Sequence, residues 1–180
     1  MSNKSFSNIL IILCCILTGM SFFIGHIVSY GMHTFFLVQW MYGSVVVQFM
    51  LYQFLHGGVF HLLSNTFFLY MFGNQVETML GRNRFMLFFV LSSLFVGISL
   101  LIFSQSNTIG ISGFAMAVLA YVFLDLYAKK NPEYRSAGIF LLINMAIGFT
   151  GNISLTGHVS GAIFGMLFFF FNAYFRRKNT

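Results

Sequence analysis

The sequence predicts an all-α membrane protein, a polytopic bundle of six transmembrane helices. Three observations predict it. Of the 180 residues, 58% are hydrophobic and only 7% charged, against about 25% charged in an ordinary soluble domain. The apolar residues fall into long runs between short polar or glycine-containing connectors, and a helix needs roughly 20 apolar residues to cross a hydrocarbon core about 30 Å thick. The basic residues fall only on alternate connectors. The chain therefore reads as one membrane domain, 1–180, with spans near 8–30, 54–76, 85–104, 112–128, 135–150 and 156–175.

The first run follows Lys4. It is too long for a signal h-region and no small-x-small cleavage site closes it, so it reads as a retained span. Cys14 and Cys15 are adjacent within it and read as small apolar packing residues, not as a disulfide framework or a metal site. Segment 31–53 carries Phe35, Phe36, Trp40 and Tyr42 with no formal charge, which suits an aromatic element lying in the outer interface. His26 and His33 read as interfacial residues. The second span is the later part of an apolar stretch that begins near Val45. The one proline, Pro132, lies in a polar connector.

Numbering the connectors alternately inside and outside, from an inside N-terminus, fixes the orientation. The inside segments hold Lys4, Arg82, Arg84, Lys129, Lys130, Arg135, Arg176, Arg177 and Lys178, all nine basic residues. Segments 31–53, 105–111 and 151–155 hold none. The positive-inside rule then puts both termini in the cytoplasm, and an odd number of spans would break the pattern. Glu77, Asp125 and Glu133 fall at the same inner ends. A net charge of +6 dispersed in this way makes no nucleic-acid surface.

Three spans that run inward carry polar groups at one level. Span two has His56, His61, Ser64 and Asn65, with His61 and Asn65 on one face. Span four opens with Gly110-Ile111-Ser112-Gly113, and span six with Gly157-His158 followed by Gly161 and Gly165. Polar side chains in spans are costly unless they face the bundle interior or water, so they are functional candidates. From Ser112 to Tyr127 a helix covers about 24 Å, which sets Ser112 below the outer surface. His158, Gly161 and Gly165 share a face, and such a small-residue stripe admits a second backbone closely. Span four is expected to pack there, bringing the Ser112 hydroxyl to the His158 imidazole as nucleophile and general base.

No carboxylate lies in the outer half, which excludes a Ser-His-Asp triad and leaves a dyad, with ring packing to orient the imidazole. The Ser112 N–H, Asn65 and His61 are the available oxyanion donors. His56 and His61 lack a third ligand of suitable type, so neither zinc nor any other metal is expected.

These residues resemble the rhomboid intramembrane serine proteases, over nearly the whole chain. His56-Gly-Gly-Val-Phe-His61-Leu-Leu-Ser-Asn65 is similar to the family's His-x4-His-x3-Asn. Gly110-Ile-Ser112-Gly113 resembles its Gly-x-Ser-Gly, and His158-Val-Ser-Gly161-Ala-Ile-Phe-Gly165 its His-x2-Gly-x3-Gly. Glu77 with Gly81 looks like the turn after span two. The resemblance implies a six-helix fold, Ser112 as nucleophile, His158 as base, and His61 with Asn65 on the oxyanion. It also implies supporting packing by Gly110, Gly113, Met116, Gly161, Gly165 and His56, and no cofactor. It implies cleavage of transmembrane helices of single-span or polytopic membrane proteins near their outer end. Three positions depart from the family pattern. Met116 stands where a tyrosine stacked on the imidazole is common, Val47-Gln48 where a Trp-Arg pair is frequent, and Ala120 where glycine is usual.

The competing reading is a catalytically weak or inactive rhomboid-like protein that binds client helices; Met116 favours it, the retained serine and histidine oppose it. A small transporter or channel would need charges near mid-membrane and repeated or broken helices, and the sequence offers neither. Short loops and the lack of extra domains point to a bacterial inner membrane, with the active site opening to the periplasmic side.

Overall fold

The structure is a computed structural model describing residues 5–104, 106–150 and 153–178. Lys4 lies outside them, as do Gln105 and residues 151–152 of two connectors. The described residues form helices and turns, with a single isolated bridge between Met32 and Thr108 in place of any strand.

Helix α1 (Phe6–Phe23) is started by a carboxylate from far along the chain. Glu77 accepts from the Phe6 and Ser7 N–H groups at 2.8 Å each and from the Ser5 hydroxyl at 2.9 Å. A helix N-terminus presents unpaired N–H groups and partial positive charge, so a carboxylate is favoured there. The expected first span is shortened: after Phe23 the backbone tightens into a 3₁₀ turn, Gly25–Tyr30. Segment 31–53 contains two short helices, α2 (Phe35–Val38) and α3 (Tyr42–Leu51). Buried Gln48 pins the segment by donating to the Gly31 and His33 carbonyls, at 2.6 and 3.2 Å.

The second expected span is shifted. The backbone is non-helical around Gly57-Gly58, where the missing side chains disfavour helix, so His56 precedes the helix instead of lying on it. Helix α4 (Val59–Phe68) passes through a π-helical turn, Leu69–Gly73, into α5 (Asn74–Leu80). The turn is matched to α1: the Ser7 hydroxyl donates to the Leu69 carbonyl at 3.0 Å, and a Cβ on Gly73 would stand 2.3 Å from that hydroxyl.

Helices α6 (Arg82–Phe103), α7 (Ser112–Ala128), α8 (Tyr134–Ile147) and α9 (Leu155–Lys178) lie close to their expected positions. The C-terminal end of α8 continues as a 3₁₀ turn, Gly148–Thr150. Among the described residues, Phe6–Phe23, Arg82–Phe103 and Leu155–Phe175 are long and apolar enough to cross a membrane by themselves. Phe23, Phe60 and Phe103 stand outward, 92%, 89% and 72% exposed, as a lipid-facing surface requires and a water-facing one does not.

Helix α7 is central, buried continuously from Gly113 to Val122. Its closest partner is α9. A Cβ on Gly161 would sit 2.0 Å from the Gly113 carbonyl oxygen, and one on Gly165 would sit 2.1 Å from that of Ala117. The two backbones touch where no side chain intervenes. Around them Phe88 stacks on Phe168 at 4.4 Å, and Phe114 takes edge contacts from Phe85, Phe88 and Phe89. At the far end Asn172 of α9 donates to the Tyr121 hydroxyl at 2.9 Å and accepts from Arg84 at 3.4 Å.

Gly161→Val is expected to destabilise the protein by about 1–3 kcal/mol through overpacking, while Gly19→Val, whose new Cβ meets nothing within 4 Å, leaves stability unchanged. Unfolding in detergent micelles checks both. Glu77→Ala leaves two α1 amides without their charged acceptor and is expected to cost about 1.5–3 kcal/mol by the same measurement.

Candidate functional site

Both chemical residues sit in the first turns of the two helices in closest contact. Ser112 is the first residue of α7, where the opening N–H groups have no intrahelical acceptor. His158 lies one turn into α9. Ser154 caps that helix: its hydroxyl accepts from the Gly157 N–H at 3.1 Å and its carbonyl from the His158 N–H at 3.0 Å. A Cβ on Gly113 would lie 3.3 Å from the Gly157 carbonyl oxygen, so the backbone next to Ser112 meets the backbone next to His158.

Ser112, His158, His61, Ser64, Asn65 and Met116 all line one cavity of about 280 Å³. His158 is 4% exposed. Its Nδ1 is 2.9 Å from the main-chain carbonyl oxygen of Asn144 on α8. A carbonyl only accepts, so Nδ1 carries the hydrogen and Nε2 the lone pair. That Nε2 is buried without a hydrogen-bond partner. The Ser112–His158 hydrogen bond expected from sequence is thus not closed in this structure, although both side chains face the same space. Such bonds are commonly loose in empty sites and tighten around substrate. Imidazole orientation, assigned from sequence to ring packing, rests here on a main-chain acceptor.

The connector before α7 is held in place by the rest of the fold. Met32 and Thr108 exchange two backbone bonds, at 2.7 and 3.0 Å, and the Gly110 N–H donates to the Tyr52 carbonyl at 2.8 Å. The Tyr52 hydroxyl donates in turn to the Ser93 carbonyl on α6 at 2.7 Å. Gly110 has φ +115°, a conformation closed to residues with side chains. A Cβ there would also fall 2.8 Å from His61 Cε1, 2.9 Å from His61 Nε2 and 3.7 Å from Asn65 Nδ2. The imidazole and the amide therefore converge on the turn that delivers Ser112.

His61 Nδ1 accepts a long bond from the Gly57 N–H at 3.4 Å, leaving its hydrogen on Nε2. Asn65 Nδ2 is a buried donor with no acceptor, a costly condition unless a ligand oxygen completes it. His56 stays outside the cavity lining. Its ring lies edge-on to His61 with centroids 4.9 Å apart, and its Nδ1 is 3.1 Å from the Thr18 hydroxyl. Met116 is buried at 2% exposure and lines the cavity with Ser112 and His158. Among the described residues no three His, Cys, Asp or Glu side chains gather where a metal ion would be held.

One wall of the cavity is apolar. Phe68 of α4 and Phe72 of the π turn pack on Phe140 of α8, with centroids 5.8 and 6.2 Å apart. The backbones of α4 and of that turn stay apart from that of α8, and these aromatic rings reach across the gap. Sequence reasoning missed this wall, Asn144 and Ser154. Ser154 had a readable signal, a serine just before a helical apolar run. Asn144 had only its polarity within an apolar span.

A helical membrane bundle with a hydroxyl, two imidazoles and a side-chain amide around a cavity between its helices defines a class of sites. The profile of the Rhomboid domain family matches residues 43–175, and the chain belongs to that family. It is 28% identical over 148 residues to the rhomboid protease GlpG of Yersinia pseudotuberculosis serotype I (strain IP32953), covering 75% of this chain and 52% of that protein. It is 31% identical over 116 residues to the rhomboid protease GluP of Bacillus subtilis (strain 168), covering 62% and 23%. The chain thus spans about half the length of the first relative and a quarter of the second.

Gly110→Ala is expected to cost about 1–3 kcal/mol from backbone strain and to displace the His61 ring. Thermal denaturation together with the histidine NMR signals checks both effects.

Proposed function

We propose that this protein is an intramembrane serine endopeptidase that cuts transmembrane helices of other membrane proteins near their outer end. The observation that carries the reading is the convergence of Ser112, His158, His61 and Asn65 on one cavity, with His158 Nε2 bare and the Asn65 donor unsatisfied. In the proposed reaction the Ser112 oxygen attacks the scissile carbonyl carbon as its proton passes to His158 Nε2. The carbonyl oxygen becomes an oxyanion and accepts from the Ser112 N–H, His61 Nε2–H and Asn65 Nδ2. The C–N bond then breaks, and the imidazolium returns its proton to the departing amine. Water repeats the cycle on the acyl-enzyme: its proton goes to Nε2 and its oxygen to the acyl carbon, then the bond from that carbon to the Ser112 oxygen breaks and the imidazolium returns its proton to the serine.

We take residues 1–180 as one rhomboid-type domain of six spans in a bacterial inner membrane, with cytoplasmic termini and a periplasmic site. The supporting observation is that the basic residues gather on alternate connectors. Substrate reaches the cavity between α4 and α8, past the rings of Phe68, Phe72 and Phe140. Opening there separates side chains without breaking backbone contacts.

Reconstituted protein is expected to cleave a helical single-span substrate, and Ser112→Ala to abolish cleavage; equal cleavage by the variant would overturn the reading. A fluorophosphonate probe is expected to label Ser112 and to lose that labelling in His158→Ala. Substrate binding without labelling or cleavage would favour a client-binding role instead. Asn65→Ala is expected to lower kcat by about 10²-fold with stability retained, the usual effect of removing one oxyanion donor.

A further inference from the structure

We infer that the main-chain carbonyl of Asn144 is the third member of the site, a positioning group that fixes the His158 tautomer and stabilises its cation; the inference rests on the proposed Ser112–His158 chemistry. In a regular α-helix the Asn144 carbonyl would accept from the N–H of Gly148, four residues on. Here that N–H is directed to the Met145 and Ala146 carbonyls, because the end of α8 tightens into the 3₁₀ turn Gly148–Thr150. The tightening releases the Asn144 carbonyl, and His158 Nδ1 takes it at 2.9 Å. Gly148 holds the turn against α9, since a Cβ there would stand 3.0 Å from Leu155 Cα.

Three consequences follow from this geometry. With the hydrogen held on Nδ1, the Nε2 lone pair faces the cavity that Ser112 lines. When Nε2 takes the serine proton, the ring becomes a cation in the first turn of α9, the end of a helix that disfavours positive charge. The C-terminal end of α8, where the helix dipole is negative, supplies the compensating partial charge through this same carbonyl. Because α8 also carries Phe140, the element that walls the cavity is the one that orients its base.

The Asn144 side chain is not the acceptor, since its Nδ2 donates back to the Phe140 carbonyl at 2.8 Å. A side-chain substitution therefore leaves the positioning group in place, and the test must change the backbone. Full-length protein labelled with ¹⁵N-histidine is expected to show neutral His158 with hydrogen on Nδ1 and none on Nε2. The opposite tautomer would overturn the inference, and this readout works even in a protein that cleaves nothing. An α-hydroxy acid at position 145 converts the Asn144 carbonyl to an ester, a weaker acceptor. The same change at position 143 removes a helical N–H but leaves the Asn144 carbonyl an amide. The 145 ester is expected to shift the His158 nitrogen signals and to lower kcat about 2- to 10-fold with KM unchanged, as for partial loss of one hydrogen bond. Nitrogen signals in the 145 ester that match those of the 143 ester would overturn the assignment, whatever the protease assay gives. If Ser112→Ala cleaves as well as the parent while the spectra behave as expected, the protease reading fails and the positioning role stands.

Discussion

The closest contact in the molecule is between two backbones. α7 and α9 meet at Gly161 and Gly165 with main-chain carbonyls where side chains would otherwise be. Dispersion falls off steeply with distance, so two helices this near have little freedom to slide or rotate relative to each other. Ser112 and His158 extend only one turn or less beyond that contact. Their relative position is inherited from the helix pair.

The rest of the site is arranged around this pair by main-chain groups. Tyr52 holds Gly110, Ser154 starts α9, and the released carbonyl of Asn144 turns the imidazole. Side chains with chemistry of their own are few, and they are carried on three helices, α4, α7 and α9. This division suits a low-dielectric setting. A buried acid beside the histidine would bring a charge that is expensive to desolvate, whereas a carbonyl at a helix end provides partial negative charge already bound into the fold.

Much of the fold was legible in the chain, and the reason is physical. Apolar runs report directly on hydrocarbon, and Ser112, His158, His61 and Asn65 are conspicuous because polar side chains are rare in such runs. What stayed hidden belongs to the backbone or to distant pairing. The π turn at Leu69–Gly73 exists to meet Ser7, some sixty residues earlier. The break before Val59 was marked only by Gly57-Gly58. Asn144 works through an atom that every residue possesses, so composition cannot single it out. Glu77 was visible as an acid at the end of a span, but nothing local to it names the Ser5, Phe6 and Ser7 donors that it serves.

That last partnership bears on how the chain assembles. As α1 emerges from synthesis, its Phe6 and Ser7 amides lack their acceptor, and the carboxylate that completes them is made some seventy residues later. Until α5 arrives, the start of α1 must stay at the wet edge of the bilayer or fray. The start of α1 is therefore secured only after α5 has been made, and its anchorage reports that these two parts of the bundle have come together.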